Sequence, residues 1–227
     1  MSPIFVPKPG PQDWKHLLGD PESNWRVSFF SQSLAHCWEE SDGFPAEVRR
    51  LFLQSGIPLF RNVEFLLAVP GHRVCQPGGP CPSEKDIFVL AKAEGTLISM
   101  IVEGKISEPF GPTLAAWNQA KSAGRNQRLR FLAKQLELPQ NIPSYIRYDL
   151  LNRAASAVVE ARRFNARIAV MFVHSFGENE EVVRDYEAFM ELLGVRAGMN
   201  QLVFAKRTQG VDLYCGWAKG DLEQLRI

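Results

Sequence analysis

The sequence predicts a mixed β-sheet covered by helices, an α/β (α+β) fold. Three observations predict it. Apolar runs such as RIAVMFVHSF, residues 167–176, read as strands buried on both faces. RYDLLNRAASAVVEARRF, residues 147–164, places Leu150, Leu151, Ala154, Ala155, Val158 and Val159 on one helical stripe. The order of elements is helix, three strands, helix, strand, helix and a closing hairpin, which suits a sheet flanked by helices. With 227 residues, 45% of them apolar and 22% charged, the chain can bury a sizeable core.

The first dozen residues are proline-rich and are expected to form an extended arm. Residues 14–43 carry an apolar, aromatic stripe with a helix over residues 31–41, SQSLAHCWEES. Pro45 stands at a helix start, Val48, Leu51 and Phe52 come next at apolar positions, and Gly56 ends that helix. VEFLLAVP, residues 63–70, is a strand. HRVCQPGGPCPSEK, residues 72–85, is dense in Gly and Pro and reads as loop. DIFVLAKAEGTLISMIVEGK, residues 86–105, reads as two strands around a small turn. SEPFGPT turns the chain into a polar, basic helical stretch, and the long helix comes after it. Beyond the next strand, ENEEVVRDYEAFMELLG forms a helix stopped by Gly194. QLVFAKR and VDLYCGW then pair around a TQG turn. Residues 1–43 are read as an arm with helical elaboration and residues 44–227 as the α/β domain, the two packed as one unit. The five tryptophans (Trp14, Trp25, Trp38, Trp117 and Trp217) are spread along the chain and are expected in the core.

No apolar run approaches the roughly 20 residues that span a bilayer. The start, MSPIFVPKPGPQ, lacks the apolar core and cleavage site of a signal peptide. A cytoplasmic protein without membrane association is expected. The four cysteines, Cys37, Cys75, Cys81 and Cys215, are irregularly spaced and expected to be reduced thiols. Cys75 and Cys81 bracket a QPGGP loop with His72 close by, but zinc there needs a fourth ligand that the sequence does not name. Net charge is +1, yet residues 112–168 hold ten Lys or Arg against three acids. Such asymmetry marks either a polyanion-binding face or a set of solvated helix faces.

The hairpin at residues 86–105 carries the chemistry. A two-residue turn at Glu94-Gly95 sets Ala93 opposite Thr96 and therefore Asp86 opposite Glu103. Opposed side chains in an antiparallel pair share a face, with Cβ atoms roughly 4.5–5.5 Å apart. Lys105, two residues beyond Glu103, lies on that face too. Facing carboxylates repel, and a divalent cation with an ammonium nearby reverses the sign. Hard oxygen ligands favour Mg²⁺ or Mn²⁺. The strand is apolar on both faces up to Val102 and is expected to emerge from the core at Glu103. A three-residue turn would instead put Asp86 and Glu103 on opposite faces.

An acid opening one strand of a hairpin, with Glu-x-Lys closing the next, resembles the PD-(D/E)XK nuclease superfamily. SEKDIFVLAKAEG, VEGKISEPFGPT, RYDLLNRAASAVVEARRF and VMFVHSF are similar to one bacterial family placed near those nucleases. The resemblance implies a restriction-endonuclease-like core of helix, three strands, helix and strand. It implies Asp86, Glu103 and Lys105 as catalytic residues, with Asp86, Glu103 and the carbonyl of Gly104 holding Mg²⁺ or Mn²⁺. Many members add a glutamate from the first core helix; Glu39 is favoured here over Glu40 and Glu47. Lys85 stands where the motif has proline. The function this implies is that of a Mg²⁺-dependent nuclease-like protein acting on DNA. The alternative is a catalytically inactive nuclease-fold protein that binds nucleic acid or another protein, and a small-molecule hydrolase is the distant third.

Other residues are candidates for support. Glu108 lies three positions beyond the motif lysine. Arg147 opens the long helix, where Asp149, Asn152 and Arg153 lie on the polar side. His174 ends a core strand, where it is either a general base or a hydrogen-bonded core histidine. Lys121, Arg125, Arg128 and Arg130 are the expected contacts to nucleic acid. Double-strand cutting would favour a homodimer.

Overall fold

The structure is a computed structural model, and it describes residues 4–5, 11–17, 30–79 and 83–220. Trp25 and Cys81 lie outside the described residues. Strand β1 is Glu64–Pro70, β4 is Ile87–Ala93, β5 is Thr96–Lys105, β6 is Ile168–Ser175, β7 is Gln201–Thr208 and β8 is Val211–Lys219. They form one six-stranded sheet in the order β1-β4-β5-β6-β8-β7. β1, β4 and β5 run antiparallel to one another, β5, β6 and β8 run parallel, and β7 returns antiparallel at the edge. The sheet is mixed, as expected. At the β1 edge, the Phe5 N–H donates to the Ala68 carbonyl at 2.8 Å, so the N-terminal segment covers part of that edge.

Helices cover both faces. Helices α1 (Phe30–Glu39) and α2 (Ala46–Gln54) lie on one face, where Trp38, Val48 and Phe52 pack against Val89, Met100 and Phe172. The short α3 (Leu114–Trp117), α4 (Ala123–Gln135), α5 (Tyr148–Arg163) and α6 (Glu180–Leu192) lie on the other, where Leu151, Val158 and Phe189 pack against Ile101 and Val173. The N-terminal helix α1 therefore shares a core with the sheet. β6 is buried along its whole length, and this explains its unbroken apolar run.

Two details depart from expectation. The Gly/Pro-rich loop contains a short antiparallel pair, β2 (Arg73–Val74) with β3 (Ser83–Glu84). Helix α5 is also buried on more than one stripe, because Asn152, Ser156, Ala157, Glu160 and Ala161 are buried as well. Small side chains let its backbone approach the sheet, while α4 and the loop at residues 72–76 cover its outer side.

The β4–β5 turn fixes the register. Glu94 (φ 48°) and Gly95 (φ 78°) both have positive φ, the type I′ geometry that matches the twist of a two-residue hairpin. Ala93 pairs with Thr96 and Ile87 with Val102, the expected pairing. Asp86, Glu103 and Lys105 then share the face covered by α5.

Candidate active site

Glu103 and Lys105 do not emerge into solvent at the strand end as expected. They are 2% and 5% exposed. Helix α5 closes over the end of β5, and Phe110 packs beneath the Lys105 ammonium, whose Nζ is 5.3 Å from the ring centre. Asp86, immediately before β4, accepts a hydrogen bond from the Gly104 N–H at 2.7 Å through Oδ2. Lys105 Nζ lies 2.8 Å from Glu103 Oε1. The two acids and the lysine that the sequence singled out are thus brought together.

The structure adds three side chains that local sequence did not assign. Arg153, on α5, donates from Nε to Glu103 Oε2, its Nη2 lies 3.8 Å from Asp86 Oδ1, and its Nη1 donates to the Glu84 carbonyl at 2.6 Å. Lys85 is fully buried and donates to Ser83 Oγ at 2.7 Å and to Asn152 Oδ1. Asp149, one turn before Arg153, sets its carboxylate against the backbone of Gly111 (φ 65°). The signal for Arg153 and Asp149 was the helical spacing of Asp149, Asn152 and Arg153. That spacing gave a polar side but not what the side faces.

The electrostatics arise from burial. Burial and the neighbouring Glu103 push Asp86 up, to about 7, against the pull of Arg153 and Lys105. Burial also opposes ionisation of Glu103, but Arg153 and Lys105 outweigh it and hold the carboxyl at about 2. Asp149 is raised by burial, against the pull of Arg153. Lys85 is lowered well below the usual lysine range by burial and by Arg153. Lys105 is raised, since Glu103 and Asp86 more than offset its burial.

Gly111 tests this packing. A Cβ added there falls 2.3 Å from Asp149 Oδ2, on a backbone that only glycine adopts easily. Gly111→Ala is expected to cost at least about 1 kcal/mol by urea denaturation. Gly111→Ala combined with Asp149→Ala should cost less than Gly111→Ala alone if the carboxylate is what collides.

The other candidates are placed elsewhere. Glu39 accepts from Trp14 Nε1 at 2.8 Å, on the far face of the sheet. Glu40 is exposed and lies 3.5 Å from His36 Nδ1. Neither meets Asp86 or Glu103, because α1 packs on the face opposite α5. Glu108 accepts from the Ile106 and Ser107 N–H groups and sits 4.0 Å from Lys105 Nζ, so it closes the turn beside the lysine. Arg147 is ion-paired with Asp185 (2.7 Å) and Glu181 (2.9 Å) and donates to the Gly111 carbonyl. Among the basic residues, Arg128 is buried and holds the Gln76 side chain, the Gln76 and Pro77 carbonyls and the Tyr148 hydroxyl. It ties the loop to α5 rather than facing a partner. Arg125 lies over Trp117, which stacks on Tyr148 at 4.1 Å. Lys121 and Arg130 are exposed, and Arg130 borders a cavity of about 480 Å³ with Lys134 and Asn126.

His174 lies opposite Gly104 and points to the face away from Glu103. Cys37, Glu47 and His174 form the one group of three or more His, Cys, Asp or Glu among the described residues with ligand atoms within 4.8 Å of one another. Glu47 Oε1 accepts from Cys37 Sγ (3.2 Å) and lies 2.8 Å from His174 Nε2. Trp38 Nε1 donates to His174 Nδ1 at 3.1 Å. Indole nitrogen is only a donor, so Nδ1 carries no proton and Nε2 carries it toward Glu47. A metal on Nε2 would need that same position as a lone pair, and a ligating histidine normally donates its other N–H. The group is a hydrogen-bonded core cluster, the second of the two roles expected for His174. His72 Nε2 lies 3.0 Å from Glu160 Oε2.

As a donor set, Asp86 and Glu103 fit a hard divalent cation: both offer oxygen, with no sulfur or imidazole among them. Arg153 draws on the same oxygens. No helix among the described residues is long and apolar enough to cross a membrane. Over residues 7–222 the sequence matches a family described as a domain of unknown function, DUF6946. No curated protein and no solved structure matches the chain.

Proposed function

The chain belongs to the DUF6946 family, described only as a domain of unknown function, and from the geometry of its acidic pair we propose that it is a nuclease-like protein of the PD-(D/E)XK type that hydrolyses phosphodiester bonds in DNA with Mg²⁺ or Mn²⁺. One observation carries the reading. Asp86, Glu103 and Lys105 share one face of a hairpin beneath a helix, with Lys105 Nζ 2.8 Å from Glu103. The succession of α2, β1, β4, β5, α5 and β6, with β5 and β6 parallel, supports it as well.

In this reading Asp86, Glu103 and the Gly104 carbonyl are the groups that would hold the cation. When bound, the cation supplies charge neutralisation at the phosphate and an acidified water. The chain's own residues do the rest. The Gly104 N–H fixes the Asp86 carboxylate. Glu103 and Glu108 position the Lys105 ammonium, a fixed positive charge for the developing negative charge of the transition state. Lys121 and Arg130 attract the phosphate backbone and make binding weaken with salt. Cytoplasmic placement belongs to this reading.

The test is cleavage of plasmid and single-stranded DNA with Mg²⁺ or Mn²⁺. Lys105→Met, which keeps most of the side-chain volume, should lose at least about 100-fold in rate, the usual scale for removing one transition-state donor. EDTA should abolish cleavage. A wild-type protein with no cleavage under any of these conditions sinks the enzymatic reading. The placement of Arg153 favours a second reading, a non-catalytic DNA-binding protein on the same scaffold. In it the guanidinium is the permanent partner of the two acids. Salt-dependent DNA retention without cleavage is its signature.

A further inference from the structure

We propose that Arg153 is a displaceable internal counter-ion: it occupies the acidic pair in the resting protein and transfers to a phosphodiester when a divalent cation takes its place. This rests on the reading of Asp86 and Glu103 as cation ligands.

The geometry points to it in three ways. The guanidinium bonds Glu103 Oε2 and approaches Asp86 Oδ1, so it and a cation compete for the same oxygens. Its grip on the two acids is unequal. The Asp86 contact, at 3.8 Å, is longer than a hydrogen bond. The acids also keep partners without it, Glu103 through Lys105 and Asp86 through the Gly104 N–H. Finally, Arg153 and Asp86 are the more accessible members of the cluster, with side chains 12% and 15% exposed against 3% for Glu103. Arg128 and Arg147, by contrast, hold loop and helix together away from the acids.

The guanidinium is the side chain best matched to two phosphate oxygens, through its planar fork of N–H donors. A divalent cation on the carboxylates repels it, and a phosphate accepts it. Each ligand therefore prepares the site for the other. Cation and phosphodiester bind with positive coupling, and either alone binds weakly. In functional terms, the resting site is kept neutral and closed until both arrive.

The experiment is Mn²⁺ titration by calorimetry, with and without a short single-stranded DNA carrying phosphorothioate linkages. It uses the full chain and Arg153→Ala. The DNA is expected to tighten wild-type Mn²⁺ binding at least about tenfold, within the roughly 5–150-fold range of such couplings. Arg153→Ala should bind Mn²⁺ at least about tenfold more tightly than the wild type without DNA, and the further gain from DNA should be smaller than in the wild type. Equal Mn²⁺ affinity of the two proteins without DNA overturns the inference and leaves the cation reading standing. Wild-type affinity unmoved by DNA does the same. No Mn²⁺ binding by either protein overturns both. If Arg153→Ala does not fold, Arg153→Lys carries the test, because its ammonium has lost the forked reach to both acids. Mn²⁺ affinity no higher than wild type then overturns the inference.

Discussion

Replacing Glu103 by leucine lowers stability by about 3–5 kcal/mol, because it removes the closest carboxylate from two cations that are largely out of water. Glu103 is the hub of the cluster, holding Lys105 through one oxygen and Arg153 through the other. Arg153→Leu alone is also destabilising, since Glu103 then keeps a single cation and Asp86 loses its nearest guanidinium. The double variant should cost less than the two single costs added together, by about 0.5–3 kcal/mol, the range for directly coupled pairs. Urea denaturation of the four proteins measures this. Simple additivity would mean that Arg153 and Glu103 do not depend on each other, and the site as described would be wrong. The cycle reads the cluster in the absence of any ligand, so its outcome does not hinge on catalysis.

Stability should fall as pH rises from about 4 to about 7. The sign comes from Asp86. Its carboxyl has an ordinary value of 3.8 and is pushed up to about 7 in the folded chain. Between those values the folded state binds more protons than the unfolded state, so raising pH favours unfolding. A single such group gives a slope of at most about 1.4 kcal/mol per pH unit. Asp149, also raised, adds to the same trend. Glu103 acts oppositely and lower down. It is held at about 2 against an ordinary 4.5, so its contribution is present above about 4.5 and is lost as pH falls toward 2. Glu47 behaves likewise, because its bond with His174 outweighs its burial and holds it at about 2. The expected profile has its maximum in mildly acidic solution. Asp86→Asn should flatten the decline above pH 4. An identical slope in wild type and Asp86→Asn would show that Asp86 ionises freely. A divalent cation seated on the pair would lower the Asp86 value and remove the decline, which gives the same profile a use as a metal assay.

The strands of the main sheet, its long helices and the face shared by Asp86, Glu103 and Lys105 were legible in the sequence; the short β2–β3 pair was not. Strand alternation has a period of two, so a two-residue turn at Glu94-Gly95 dictates which side chains stand opposite one another; that the turn has two residues and not three is seen in the structure. The long apolar run of β6 showed that both of its faces are covered, and the structure agrees. The partners of the acids were not legible. Arg153 lies fifty positions from Glu103, and only the packing of α5 against β5 carries it there. The same packing decided that Arg128 and Arg147 serve the scaffold and that Lys85 is buried. It also set His174 and Glu47 on the far face, away from the acidic pair. Periodicity shows that a residue is polar and which side of its own element it occupies. Which charge it meets depends on the element laid over it, and Arg153 is set against the acids only once α5 has packed on the sheet.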